Sequence, residues 1–252
     1  MTSIQLQPVS NEPLLFIKKQ QMLVLADVHI GIERELREQG LHIPSKTQQL
    51  IDHITNVCQT YHPQKVVICG DIKHTIPHFT YQEERDVQCF FQALLSYAQV
   101  HVIPGNHDGN LKSLLPSEIQ IHSSKGWVVD EIGFAHGHRW PSEEVMNSSF
   151  VVVSHTHPTV MLRDRLGHQS YEPCWLRGFL KKEILQRRYA SSKGPEIVVM
   201  PAFNPLCGGI AVNTDGLVGP IGKYLDISDV RVFLLDGTFL GRVNDLTDNQ
   251  RV

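Results

Sequence analysis

Val66-Val67-Ile68-Cys69-Gly70-Asp71-Ile72-Lys73-His74 runs from four apolar or β-branched residues into a glycine, a carboxylate and, three residues on, an imidazole. The apolar half reads as a strand buried on both faces. Gly70 permits a sharp turn and close backbone approach where that strand ends. By itself, Asp71 is no more than a turn residue after a glycine. The format recurs, however. Leu23-Val24-Leu25-Ala26 leads into Asp27-Val28-His29, Val100-His101-Val102-Ile103-Pro104 into Gly105-Asn106-His107-Asp108, Gly133-Phe134-Ala135 into His136-Gly137-His138, and Phe150-Val151-Val152-Val153 into Ser154-His155-Thr156-His157. Strands of one sheet edge can therefore gather oxygen and imidazole donors that lie far apart in sequence.

Between these units lie helical patterns. Leu50, Ile51, Ile54, Val57 and Cys58 recur at helical spacing, as do Val87, Phe90, Phe91, Leu94 and Leu95. Ser45 can cap the first of these helices and Pro63 stops it. Residues 14–17 and 22–26, split by Lys18-Lys19-Gln20-Gln21, read as an opening hairpin. Strands alternating with helices predict α/β layering over the first two thirds. After His157 the pattern changes to strands at 160–162, 197–200, 210–212 and 230–235, with Asp236-Gly237 as a tight turn before 239–243. A second, more antiparallel sheet is expected there. One domain over 1–252 is predicted, carrying a basic insert at about 163–193.

With 252 residues the chain can bury a full core. A net charge of −3 and 41% hydrophobic residues exclude both a basic nucleic-acid coat and an acidic disordered segment. Half of the 14 histidines fall inside the five clusters. The five cysteines are odd in number, far apart and mostly in apolar stretches, which suits buried thiols in a reducing compartment. No basic start precedes an apolar core at the N-terminus, and no apolar stretch approaches the ~20 residues of a membrane span. The expectation is a cytoplasmic protein without a membrane partner; the sequence is silent on oligomeric state.

Each cluster has a bland reading beside a chemical one. Asp27 and His29, two apart in extended chain, point the same way and can grip one ion, or form a plain polar strand end. Asn106 offers a carbonyl oxygen, His107 a proton, and Asp108 a carboxylate to orient that imidazole; the alternative is an ordinary turn after Pro104. His155 and His157 put two imidazoles on one side, as would an unrelated zinc or surface pair. In His136-Gly137-His138 one histidine reads as a ligand and the other as its support or a substrate contact. Five such patterns together leave coincidence little room.

In order and content the five clusters resemble the signature of the calcineurin-like metallophosphoesterases, over Asp27 to His157. Ser154 departs from the glycine usual before the last His-x-His, though a small residue is retained. The resemblance implies a four-layer α/β/β/α sandwich of two mixed β-sheets flanked by helices. It implies two metal sites sharing Asp71: Asp27, His29 and His157 complete the first, and Asn106, His136 and His155 the second. His107, paired with Asp108, would stabilise the transition state and protonate the leaving oxygen. Seven nitrogen and oxygen donors suit manganese, iron or zinc; the resemblance favours two manganese ions per chain.

Gly70-Asp71-Ile72-Lys73-His74 is similar to the nucleases of the SbcD type, in which a histidine at the position of His74 could contact the scissile phosphate. Gly40-Leu41-His42-Ile43-Pro44, Pro173-Cys174-Trp175 and Met200-Pro201-Ala202-Phe203-Asn204-Pro205 resemble the SbcD-related, PdeM-like metallophosphoesterases found beside DNA ligases and repair helicases. The implied activity is a phosphodiesterase or nuclease acting on DNA, with single strands favoured, in DNA repair, and a helicase or ligase as partner. A small-molecule or cyclic-nucleotide phosphodiesterase is the alternative; a scaffold without catalysis is a third reading, at odds with the full ligand set. The basic residues 163–193 would recruit a polyanion, or are the solvated face of an amphipathic helix built on Leu176, Phe179, Leu180, Ile184 and Leu185.

Overall fold

In the computed structural model, which describes residues 6–77 and 79–248, the strand-and-cluster units assemble into two facing sheets. The first contains β1 (Leu6–Pro8), β2 (Leu15–Ile17), β3 (Met22–Leu25), β4 (Lys65–Cys69), β5 (Gln99–Ile103) and β6 (Gln120–Ile121), side by side in chain order. The β1–β3 meander is antiparallel and β3 to β6 run parallel. The second sheet contains β7 (Trp127–Val129), β8 (Ile132–Phe134), β9 (Phe150–Val153), β10 (Pro158–Arg163), β11 (Gln169–Gly178), β12 (Glu196–Val199), β13 (Ile210–Ala211), β14 (Arg231–Leu234) and β15 (Phe239–Arg242). Its order is β13-β10-β11-β12-β9-β8-β7, with β14 and β15 attached through β11. It is mixed, with β8, β9 and β12 parallel and β11 antiparallel to its neighbours.

The crossovers of the first sheet carry α1 (Ile32–Glu38), α2 (Thr47–Tyr61) and α3 (Tyr81–Leu95). Thr80 and Glu83 cap α3 reciprocally. At the start of α2 the Ser45 hydroxyl accepts from Thr47 N–H at 3.3 Å, as a cap does, although the N-cap position itself is Lys46, whose N–H donates to Glu33 Oε1 at 2.6 Å. His62, in a left-handed conformation ahead of Pro63, ends the helix. Short helices α4 (Glu143–Met146), α5 (Lys182–Arg188), α6 (Gly219–Gly222) and α7 (Val243–Asp248) serve the second sheet.

Strand alternation divides the apolar residues among three cores. Leu23 and Leu25 of β3 face Ile54 of α2 and Phe90 and Phe91 of α3, while Met22 and Val24 face Phe134, Val152 and Trp175 of the second sheet. Val151, Val153, Ile197 and Val199 turn outward to Leu180, Tyr189 and Ile221. Because each central strand buries both faces, its sequence reads as an unbroken apolar run. Fully burying each such side chain stabilises by about 1.5–3 kcal/mol. The result is the four-layer sandwich expected.

The basic stretch departs most from expectation. Residues 169–178 form β11, the longest strand, which pairs with β10 through its first half and with β12 and β14 through its second. The predicted helix is confined to Lys182–Arg188, and Leu176 belongs to the strand. Polar residues 169–173 hide the strand because they are its exposed half, whereas Cys174, Trp175 and Leu176 are buried. Arg177 and Arg231 both pair with Glu196, at 2.7 and 2.5 Å. Among the described residues no helix is long and apolar enough to cross a membrane.

Candidate metal centre

All five clusters follow the carboxyl ends of strands, β3, β4, β5, β8 and β9, where ligand loops of α/β sheets gather. Beyond their strands the loops stay paired. Asp27 N–H donates to Gly70 O, His29 N–H to Asp71 O and Ile30 N–H to Ile72 O, so the first two clusters continue the β3–β4 ladder. Ser154 N–H donates to His136 O at 2.9 Å, pairing the last two. Ser154 also ties the sheets together: its buried hydroxyl donates to Cys69 O at 2.7 Å. The serine in the place of the usual glycine thus has a hydrogen-bonding role at the seam.

The backbone is unusual where these loops meet. Asp27, His29, Asp71, His155 and His157 all have positive φ, between 43° and 72°. Non-glycine residues rarely adopt that region, and its cost persists where surrounding structure holds the residue for function. Two glycines are required sterically. A Cβ on Gly70 would lie 2.4 Å from the His136 ring, and one on Gly105 would lie 2.1 Å from Asp71 Oδ1.

The side chains converge on two overlapping clusters. Asp27, His29 and Asp71 offer donor atoms within 4.8 Å of one another, and so do Asp71, His136 and His155. Asp71 belongs to both. His157 Nε2 lies 3.3 Å from Asp27 Oδ1, and His136 Nε2 lies 3.1 Å from Asp27 Oδ1 and 3.4 Å from Asp71 Oδ2. Asn106 is exposed, between Gly105, packed on Asp71, and His107, whose N–H donates to Asp71 Oδ1 at 2.9 Å. Of the two histidines of His136-Gly137-His138, only His136 faces the carboxylates; His138 Nδ1 contacts His136 Nδ1 at 2.9 Å.

Two expected roles change. Asp108 does not pair with His107. Its buried carboxylate accepts from Gly105 N–H at 2.8 Å and from Ile72 N–H at 2.9 Å, so it locks the third cluster onto the second. A charged acceptor of backbone N–H groups is better satisfied there than by one imidazole. His107 is oriented instead by His74: its Nδ1–H donates to the His74 carbonyl at 2.6 Å, which leaves Nε2 facing outward. Both ring nitrogens of His74, the residue expected to contact a phosphate, are engaged in this structure. Its Nε2–H donates to Glu35 Oε2 at 2.6 Å, and its Nδ1 meets His29 Nδ1 at 3.1 Å. With Nε2 carrying the proton, His74 Nδ1 accepts from His29 Nδ1–H, and His29 Nε2 keeps its lone pair. Such relays fix the tautomer of metal-binding histidines.

Electrostatics suit cation binding. Burial would raise the carboxyls of Asp27 and Asp71, but neighbouring His157 and His136 hold Asp27 far below the usual range, and hydrogen bonding to His136 holds Asp71 at about 2. Burial pushes His29 down to about 3 and His155 to about 4, so both rings are neutral at pH 7 and can offer a lone pair to a cation. His136 goes the other way: burial opposes its charge, but Asp27 and Asp71 raise it to about 10. At His157 burial again opposes the charge, and Asp27 again outweighs it, so that ring is raised too. Protons on these two rings balance two carboxylates, and cations can take their place. His29 Nε2, on a side chain 5% exposed, has no hydrogen-bond partner. An unpaired buried nitrogen costs about 1–3 kcal/mol, and a metal ion would satisfy it. The donor set therefore fits a pair of divalent cations.

Sequence reasoning missed Glu35, which reaches the centre only because α1 turns it toward His74. It also missed the 204–207 turn, where Asn204 Nδ2–H donates to Val28 O at 2.9 Å and Cys207 lies beside His29 and His157. Asn204-Pro205 is a turn signal, but nothing local reveals what the turn faces.

A family model described as calcineurin-like phosphoesterase matches residues 21–211. No sequence among curated proteins matches this chain. Among solved structures, the chain is similar to the Pseudomonas putida nuclease MPE at 20% identity, covering 92% of this chain and 98% of that one, with a TM-score of 0.57. It is also similar to Yfce, a phosphoesterase from E. coli, at 15% identity over 88% and 97% of the chains, with a TM-score of 0.41.

Proposed function

The chain belongs to the calcineurin-like phosphoesterase family and is a metal-dependent phosphoester hydrolase; on that premise we propose that it is a dinuclear phosphodiesterase acting on DNA, single strands above all. The observation that carries the reading is Asp71, common to two donor clusters that together hold Asp27, His29, His136 and His155 as well. Asp27, His29, Asp71 and His157 would hold one ion, and Asp71, Asn106, His136 and His155 the other. Nitrogen and oxygen donors suit manganese, iron or zinc, and manganese is the favoured ion for both positions on this donor set.

When bound, two divalent ions supply an activated water and neutralise the phosphoryl oxygens during in-line displacement. The chain's own residues do the rest. Glu35 and His74 keep His29 in its metal-binding tautomer. Asp108 fixes the loop that carries Asn106 and His107. His107, its Nδ1–H held by the His74 carbonyl, presents Nε2, and in its protonated form donates from that atom to the departing oxygen.

DNA is favoured by the shape of one side of the site and the charge of the other. An open groove lined by Arg34, Glu35, Glu38, His74 and His107, with Arg34 paired to Glu38 at 3.1 Å, leads away from His107 and gives room for an extended chain without adding net positive charge. On the other side Arg188 of α5 stacks over Trp140, two residues past His138, with its guanidinium carbon 4.2 Å from the ring centroid. That contact brings the basic end of α5 beside the loop of the second position. The Pseudomonas putida neighbour is a nuclease, and the resemblance to repair-associated phosphoesterases adds the repair setting.

The test is metal-reconstituted protein against bis-(p-nitrophenyl) phosphate, single-stranded DNA, duplex DNA and cyclic nucleotides, side by side. Cleavage of the small ester and of single-stranded DNA is expected. Turnover of cyclic nucleotides with intact DNA would move the enzyme to the small-molecule phosphodiesterases.

A further inference from the structure

The proposed first position, held by Asp27, His29 and His157, has a neighbour that the nitrogen and oxygen donors do not account for. Cys207 Sγ and the donor nitrogens of His29 and His157 lie within 4.8 Å of one another. One ion at about 2.0–2.3 Å from each donor closes that spacing with a small side-chain shift. His29 supplies an independent sign that the spot is made for a ligand, because its deeply buried Nε2 lacks a hydrogen-bond partner.

The backbone of the turn delivers Cys207 there. Phe203 N–H donates to Ala26 O at 2.8 Å and Asn204 N–H to Asp27 O at 3.3 Å, laying the 203–207 segment along the first cluster. Asn204 uses both ends of its buried amide: Oδ1 accepts from Leu206 N–H at 3.0 Å and Nδ2–H donates to Val28 O. Cys207 closes the turn with its own N–H on Asn204 O at 3.1 Å, and its thiol points at Asp27 O, 3.6 Å away. Cys58, Cys69 and Cys174 are buried elsewhere and Cys89 is exposed. Among the described residues, no cysteine other than Cys207 joins a ligand cluster.

We propose that the Cys207 thiolate is a further ligand at the first position and turns its preference from manganese toward zinc, giving the enzyme two unlike metal positions. The inference rests on the dinuclear reading above. Ligation breaks the S–H bond, releases the proton to solvent and forms a sulfur–metal bond, with no change in oxidation state. Thiolate is a soft donor that selects zinc, whereas the second position, with oxygen and imidazole alone, keeps its affinity for manganese.

The full-length protein carrying Cys89→Ser, stripped with a chelator, is titrated with Co²⁺ and read by ultraviolet–visible absorption and elemental analysis. A thiolate-to-cobalt charge-transfer band should grow with cobalt and vanish on adding Cys207→Ser. In competition, Cys207→Ser should lower zinc affinity at least about tenfold, as loss of a supporting group to a metal does, with manganese affinity little changed. Two cobalt ions bound without the band would overturn the thiolate ligand and leave the dinuclear site standing. Failure of the protein to bind cobalt at all would overturn the dinuclear site and this inference with it. The band is read first in protein that retains Cys207, so the outcome does not depend on how the serine variant folds.

Discussion

His107 and Asp108 are adjacent in sequence yet serve different purposes, and their substitutions should separate cleanly. His107→Ala removes a proton donor that the proposal keeps out of the ligand set. It should retain both metals and lower turnover by about 10²–10⁴, the usual contribution of a general acid; elemental analysis and single-substrate kinetics check both halves. A metal-free His107→Ala would move His107 among the ligands. Asp108→Ala instead strips the acceptor from the buried N–H groups of Gly105 and Ile72. Hydrogen bonds to a charged group contribute about 1.5–3 kcal/mol each, so the free energy of denaturant unfolding should fall by an amount in that range or above. Unchanged stability would return Asp108 to the role of a partner for His107.

Among the elements, α5 offers the clearest test of what the basic stretch does. Lys182 and Arg187 are exposed and Lys181 half-exposed, whereas Arg177 is engaged by Glu196 and Arg188 by Trp140. Replacing Lys181, Lys182 and Arg187 with Gln should flatten the salt dependence of DNA binding by about one unit of log–log slope for each phosphate no longer neutralised. Hydrolysis of the small ester should hardly change. Equal losses on both substrates would assign the helix to folding. The same region marks the limit of what the sequence discloses. The five ligand clusters are legible because each sits behind a strand apolar on both faces, and Gly70 and Gly105 announce close approach. β11 is not legible, since its exposed half is polar and its buried half, Cys174-Trp175-Leu176, is too short to show a period. Nor do sequence neighbours reveal that Asp108 turns to Ile72, that Glu35 reaches His74, or that Cys207 faces His29. Those contacts arise where separate loops meet across the sheet edge, and adjacency along the chain, as for His107 and Asp108, points the wrong way.

The two sheets are joined at opposite places: by Ser154 and the metal loops at one edge, and by an aromatic stack at the flank. His101 of β5 stacks on Trp127 of β7, ring centroids 4.5 Å apart and 10° from parallel, with His122 against both. Burial lowers His101 to about 4 from 6.5, with His122 adding to the effect. The folded form therefore binds fewer protons than the unfolded chain between those values, so stability falls as pH drops from 6.5 toward 4 and the effect levels off below. In metal-free protein, His101→Gln should show a shallower loss of stability across that window in urea titrations. Parallel curves for the two proteins would mean that the stack does not hold His101 neutral.

On the proposed mechanism, Asp71 is shared by two metal ions that act together on a phosphodiester. Chelator-stripped protein is dialysed against graded Mn²⁺, with bound metal measured by elemental analysis and hydrolysis of bis-(p-nitrophenyl) phosphate followed on the same samples. Two ions per chain are expected, with activity rising as the second is filled. Asp71→Asn should bind neither ion tightly and should not turn over. Full activity with a single ion, or an Asp71→Asn variant that holds two ions and hydrolyses the ester at the unaltered rate, would contradict the dinuclear centre.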